Sequence, residues 1–141
     1  MTVKRSDVTT WFEGVVRAAT PASVALYVGV VPPGAKYPYS VLYSIDGGAW
    51  DGSLSDGQDM PTFVYQVDFV TRAHKAAEDG GALIQAAVFA AGSGAAGNPT
   101  GATVSGIIPD GGPGGVETIG EPPLEVFTQQ SRYAVTVTAT E

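Results

Sequence analysis

The chain has 141 residues, a net charge of −7 and no cysteine, which excludes disulfides and thiolate metal sites. Seven scattered basic residues against fourteen acidic ones disfavour adhesive binding to nucleic acid or to an anionic membrane. Hydrophobic residues make up 44% of the chain and charged residues only 15%, which indicates a single folded domain over 1–141 whose surface suits packing against protein neighbours.

The N-terminal segment combines a helix signal with the absence of a signal-peptide pattern. Apolar residues recur at helical spacing and predict a helix over 6–19, with Ser6 as its N-cap and Asp7 near the positive end of its dipole. No stretch has the apolar length of a secretory signal or a membrane span, so we expect synthesis in the cytosol.

Three strands are predicted next, without a helix between them. They are VALYVGVV at 24–31, YSVLYSI at 39–45 and TFVYQVDFV at 62–70. In the second strand, we expect the face that carries the serines to be the wetter one. An acidic loop at 46–61 separates the last two strands. Consecutive strands of this kind favour an antiparallel meander.

Helical spacing returns in RAHKAAEDGGALIQAAVFA at 72–90. Gly80 and Gly81 lie on its apolar face, so this helix is expected to pack closely on a sheet. The remaining segments are a Gly-rich loop at 92–101, a strand at 102–108, a Gly/Pro-rich connector at 109–123, a locally paired EVFTQQ at 125–130 and a final strand at 132–140. We therefore predict an α+β fold, a mainly antiparallel sheet of four or five strands with two helices on one face.

GSGAAG at 92–97 matches the spacing of a dinucleotide-binding loop. That site needs a strand before the glycines and a helix that starts within them, so that the helix N-terminus meets the pyrophosphate. Here a predicted helix precedes the glycines, and Pro99 and a strand follow. The loop is therefore interpreted as a turn, and no cofactor is expected.

The acidic loop holds the candidate interface residues. It resembles a calcium loop that begins at Asp51, but Asp56 stands where an EF-hand needs glycine and Thr62 where it needs glutamate. A weak cation site of another kind stays an alternative, while a solvated or partner-facing hairpin loop is favoured. The candidate interface or lumen residues are Asp46, Trp50, Asp51, Asp56 and Asp59.

A catalytic site has little support in the sequence. His74 is the only histidine, and no nucleophile motif such as G-x-S-x-G accompanies it. A surface or capping role is predicted for His74. We expect no catalytic, metal-binding or cofactor-binding residues, and no enzymatic activity.

In the order of its predicted elements and in its residue patterns, the chain resembles the tail terminator (tail completion) proteins of long-tailed bacteriophages of actinobacteria, the siphophages. The residues that carry the resemblance are PYSVLY at 38–43, YQVDFVTRAHKAA at 65–77 and PLEVFTQQSRYAVTVT at 123–138. The resemblance spans nearly the whole chain but contains no catalytic signature.

This resemblance implies a structural virion protein at the head-proximal end of the tail, assembled in the host cytoplasm. Its partners would be copies of itself in a homo-hexameric ring, the tail tube protein and a head-side connector or neck protein. Such a ring caps the tube, ends its polymerisation and joins the head, and genomic DNA passes through it without specific binding. The alternatives are another head–tail connector or minor tail subunit, or a cytosolic α+β domain that binds a small ligand.

Overall fold

The α+β class is confirmed in a computed structural model, which describes residues 3–45, 60–111 and 115–140. These residues form two helices and six strands, rather than the expected four or five strands. In chain order they are α1 (Arg5–Ala19), β1 (Ala25–Val28), β2 (Tyr39–Ile45), β3 (Thr62–Thr71), α2 (His74–Gly92), β4 (Ala102–Pro109), β5 (Val116–Ile119) and β6 (Val126–Ala139).

The first helix follows its predicted apolar stripe, but its cap differs. Val8, Phe12, Val15 and Val16 are buried. The helix starts at Arg5, and its N-cap Lys4 makes no side-chain capping bond, so the prediction that Ser6 is the N-cap is wrong. The apolar contacts of the stripe position the first turn here, because packing contributes more to helix formation than a single cap.

The sheet is mixed, with the strand order β1-β2-β3-β6-β4 and with β5 also paired to β6. β2, β3 and β6 pair antiparallel, but β1 pairs parallel with β2, so the predicted antiparallel meander of the first three strands is wrong. The predicted strand at 24–31 stops at Val28. Gly29 has φ +79°, and the chain then runs through Pro32 and Pro33, which cannot donate to a ladder, before β2 starts beside β1.

The C-terminal half contains more strand than the sequence predicts. The segments 125–130 and 132–140 form one strand, β6, which pairs with β3 from Phe127 to Thr136 without a register break. On the other edge of β6, β5 pairs with its first half and β4 with its second half. The predicted connector at 109–123 therefore contains a short strand.

Both helices lie on the same face of the sheet, which we call the helix face. From α1, the Phe12 ring stacks on Tyr65 of β3 with 4.7 Å between ring centroids. From α2, Ile84 and Val88 join the same buried cluster. Gly80 and Gly81 are buried against the sheet, because a Cβ on Gly80 would overlap the Phe69 ring and one on Gly81 would overlap Gln129. The close approach predicted from these glycines is confirmed.

The two faces of β2 are the reverse of the expectation. Its register with β3 puts Ser40, Leu42 and Ser44 on the helix face, where Ser40 and Leu42 are buried. Tyr39 and Tyr43 point to the opposite face, which we call the open face because no described helix covers it. Of the two serines, Ser40 is covered by the helix layer and Ser44 is exposed at the far end of the strand, whereas Tyr39 and Tyr43 are half-buried on the open face.

Candidate functional site

The residues predicted to form an interface or lumen loop, Asp46, Trp50, Asp51, Asp56 and Asp59, lie outside the described residues. The strands on either side are described, and they are antiparallel neighbours in which Ile45 pairs with Val64. The antiparallel pairing of these two strands, which the sequence predicts, is confirmed. The role of its acidic residues stays a prediction.

The open face carries a groove that the sequence did not predict. It has a volume of about 310 Å³ and crosses β2, β3 and β6. Its floor is formed by Val41, Val70 and Thr128, which are buried, and by the half-buried Asp68. One wall comes from the β1–β2 connection and the other from β5. We refer to it below as the tyrosine groove, after the side chains of its first wall.

That wall is a row of aromatic rings ending in a cation. The Tyr39 ring lies between Tyr27, at 5.7 Å in an edge contact, and Tyr37, at 5.5 Å in a stacked contact. The Arg72 guanidinium lies 5.0 Å from the centroid of Tyr37. Burial raises the pKa of the Tyr39 and Tyr43 hydroxyls, so both rings are neutral at physiological pH. Tyrosine and arginine are enriched among the residues that dominate protein–protein affinity.

Asp68 is the charged group on the groove floor. Its Oδ1 accepts a hydrogen bond from Gln66 Nε2 at 3.0 Å, and Arg132 Nε donates to Gln66 Oε1 at 3.0 Å. Arg132 thus reaches Asp68 through the glutamine, and Asp68 forms no ion pair with any described residue.

The environment of this carboxyl disfavours its charged form. Burial raises the pKa of Asp68, the Gln66 hydrogen bond opposes that rise, nearby Glu117 adds to it and Arg132 opposes it. The net direction is upward, because a half-buried carboxylate loses more hydration than one hydrogen bond restores. Asp68 is thus a carboxylate that a cation would stabilise.

His74 has the surface position that was predicted for it. Its Nδ1 lies 3.1 Å from Glu78 Oε1, both side chains are more than half exposed, and its ring makes an edge contact with Phe127. Among the described residues there is no group of three or more His, Asp or Glu side chains placed to hold a metal ion.

The GSGAAG loop has the structural context that the sequence predicts. It follows α2 and leads into β4. Gly94 and Gly97 have positive φ values of 95° and 70°, which suits glycine in a turn. Trp11 Nε1 donates to Ala96 O at 3.3 Å, which ties the loop to α1.

Neither described helix is long and apolar enough to cross a membrane.

One part of the groove, the polar face of the strand at 62–70, could be predicted from the sequence pattern. The alternation in 62–70 puts Gln66 and Asp68 on the face opposite Tyr65 and Val67, and such polar residues in the middle of a strand indicate a second, wetter face. The tyrosine wall depends on the path of the β1–β2 connection, which the sequence does not specify.

No protein-family model and no curated protein sequence matches the chain. Several solved structures do match the chain. One is a component of the virion of a native gene transfer agent particle, with a TM-score of 0.57 and 14% identity over 95% of this chain and 90% of that one. Another is from the sheath/tube terminator of an extracellular contractile injection system, with a TM-score of 0.46 and 9% identity over all of this chain and 58% of that one. At 14% identity, the first of these likenesses shows that the chain shares its fold with a component of the gene transfer agent virion.

Proposed function

We propose that the chain is a structural, non-enzymatic virion protein that terminates the phage tail tube. The observation that carries this proposal is the fold shared with the gene transfer agent virion component over 95% of the chain. The sequence resemblance to tail terminators points independently to the same class of protein.

In the proposed mechanism, copies of the chain assemble into a homo-hexameric ring. One face of the ring complements the last ring of the tail tube, and the other lacks the surface on which the tube grows. The tube stops at that point, and the ring's outer surface receives the head-side connector. The mechanism is geometric and uses no bound cofactor.

Two features of the fold suit a ring. The sheet ends in β1 at one edge and in β4 and β5 at the other, and the described residues leave the outer side of each edge unpaired. Exposed strand edges are a hazard in a free subunit and are protected by neighbours in a closed assembly. The net charge of −7 also suits a channel for DNA, because it repels phosphates that must slide through.

The test is to delete the gene for this chain from the phage genome and to examine the resulting particles by electron microscopy. We expect tails of uncontrolled length that carry no heads, and complementation by the intact gene should restore both. In complete particles, a tagged chain should form one ring at the head-proximal end. Tails of normal length without the chain would contradict the termination role. A tagged chain elsewhere along the tail would identify a connector or minor tail subunit instead.

A further inference from the structure

The tyrosine groove has the size of a site for one large side chain. Its volume of about 310 Å³ is at the lower end of the range for small-ligand pockets, about 300–1,000 Å³, and equals the space of about ten water molecules. That is too little for a helix or a folded domain. It is enough for one long side chain that enters from a neighbouring protein while the backbone that carries it stays on the rim.

The floor and the β5 wall of the groove each contribute a carboxylate. Asp68 is half-buried and Glu117 is exposed, and neither forms an ion pair with a described residue. Along β6 they stand opposite Gln130 and Thr128, two residues apart. A side chain that fills the groove removes the remaining water from Asp68, which is unfavourable unless it brings a cation. The matching guest is therefore positively charged.

The cations near the groove do not take this place. Arg132 Nε donates to Gln66 Oε1 at 3.0 Å, and the Arg72 guanidinium lies 5.0 Å from the ring centroid of Tyr37. Both arginines are absent from the described residues that line the groove. The two carboxylates thus face the groove without a cation from the described part of their own chain.

The tyrosine wall favours a guanidinium over an ammonium. Tyr43 lines the groove and makes no ring contact with any aromatic side chain or cation that the structure describes. A guanidinium is planar, stacks on aromatic rings, forms forked hydrogen bonds with carboxylates and is less strongly hydrated than an ammonium. The Thr128 hydroxyl and the Gln130 amide also line the groove, and their oxygens can accept its remaining N–H groups.

A second copy of this chain does not supply the guest, because all four of its arginines already have partners. These are a hydrogen bond from Arg5 to Ser44, an ion pair of Arg17 with Glu13, the Arg72 contact with Tyr37 and the Arg132 bond to Gln66. The 46–59 segment carries four aspartates and no basic residue, so its charge does not match either. The guest arginine is therefore expected from a different protein.

The rim of the groove indicates what flanks that arginine. Val31 and Val126 are half-buried and Ile119 is 55% exposed, and all three line the groove. Apolar residues on either side of the arginine would cover this rim and remove its apolar surface from water. The partner segment thus combines one arginine with apolar neighbours.

We propose that the tyrosine groove binds an arginine side chain from an apolar segment of a partner protein, with the guanidinium between Tyr43 and the carboxylates of Asp68 and Glu117. The site belongs to the folded chain, so the inference goes beyond the proposed function and does not require a ring.

A peptide titration followed by NMR tests the site. The probe is a capped five-residue peptide with a central arginine between two valines, and its matched control carries citrulline, a neutral isostere, in place of the arginine. The arginine peptide should shift the backbone resonances of Asp68, Gln130 and Ile119 saturably and leave those of Ile84 and Val88 on the helix face unchanged. The citrulline peptide should bind at least about tenfold more weakly. Equal binding of the two peptides, or no saturable shift, would overturn the inference.

Variants of the groove test its two halves. Asp68→Asn can still accept the Gln66 hydrogen bond but lacks the charge, so it should weaken the arginine peptide by at least about tenfold. Asp79→Asn, on the exposed side of α2, is the matched control and should change binding by less than about twofold. Tyr43→Leu should weaken binding by about two- to fivefold, and Tyr43→Phe, which keeps the ring, should not. Equal losses in the two aspartate variants would mean a response to net charge and would overturn the site.

The outcomes separate this inference from the proposed function. A chain that binds the arginine peptide in the groove but is missing from tails would support the site and contradict the terminator role. Rings on tails formed by a chain that does not bind the peptide would overturn the site and leave the terminator role intact.

Discussion

Replacing Gly80 with alanine should destabilise the protein, whereas the same change at Gly14 should stabilise it. Both glycines lie inside helices. Gly14 is on the exposed side of α1, and a Cβ there would meet nothing within 4 Å. At Gly80 a Cβ would overlap the ring of Phe69, which is 5% exposed and lies near the C-terminal end of β3. The two substitutions therefore share a helix-propensity term and differ in packing.

The magnitudes follow from these two terms. Alanine favours a helix over glycine by about 1 kcal/mol, so Gly14→Ala should raise the free energy of unfolding by about that amount. Overpacking a filled core costs about 1–3 kcal/mol, so Gly80→Ala should lower the free energy of unfolding by about 1 kcal/mol net. For a domain of this size, each kcal/mol moves the Tm by about 4 °C.

Urea denaturation and thermal melts of the two variants measure the difference. Gly81→Ala is an informative third variant, because its Cβ would meet the flexible Gln129 side chain and its cost should be smaller than that of Gly80→Ala. If Gly80→Ala raised the Tm as much as Gly14→Ala, the close contact between α2 and β3 would be refuted.

Three further changes test the groove and the core. Burial raises the pKa of Asp68 above its ordinary 3.8 in the folded state, so the folded state binds this proton more tightly than the unfolded state does. The protonated carboxyl therefore makes its full contribution to the free energy of unfolding below pH 3.8, and that contribution is lost as the pH rises through the raised pKa. Urea denaturation across the pH range should then show Asp68→Asn gaining stability over the wild type as the pH rises above 3.8, and an advantage that is flat with pH would contradict this. Ser40→Ala should stabilise the fold by about 1 kcal/mol, since the buried Ser40 hydroxyl has no hydrogen-bond partner among the described residues; a loss of stability in chemical denaturation would mean that the hydroxyl is satisfied. Tyr65→Phe should destabilise by about 1 kcal/mol, since it removes the 2.9 Å hydrogen bond between Tyr65 and Thr9, and a melt unchanged from wild type would count against that bond.

Local periodicity correctly predicted the helix and the strand that each pack one face against a single layer. The stripe from Val8 to Val16 and the alternation from Phe63 to Phe69 each face one layer, so their spacing alone identifies a helix and a strand. The first half of β6 has no such regularity. Gln129 lies on the helix face beneath Gly81, where a polar side chain fits because the helix contributes no Cβ there. The sequence therefore predicted a broken strand.

Pairing partners could not be predicted in the same way. The parallel contact of β1 with β2 depends on the path of residues 29–38, and β5 pairs only because β6 extends far enough to meet it. The tyrosine groove is a product of these two non-local arrangements. Its residue types were visible in the sequence, but their convergence was not.

The position of β6 has a consequence for biosynthesis. This strand follows every other described element in the chain, yet it lies between β3 and the β4/β5 edge, so it joins the two parts of the sheet. Thr62 pairs with Thr136, which is 74 residues further along. Until β6 has left the ribosome, β1 to β3 form an incomplete sheet with an open apolar edge. Subunits with an unfinished sheet would expose this edge, so their folding would be completed only when the last strand is in place.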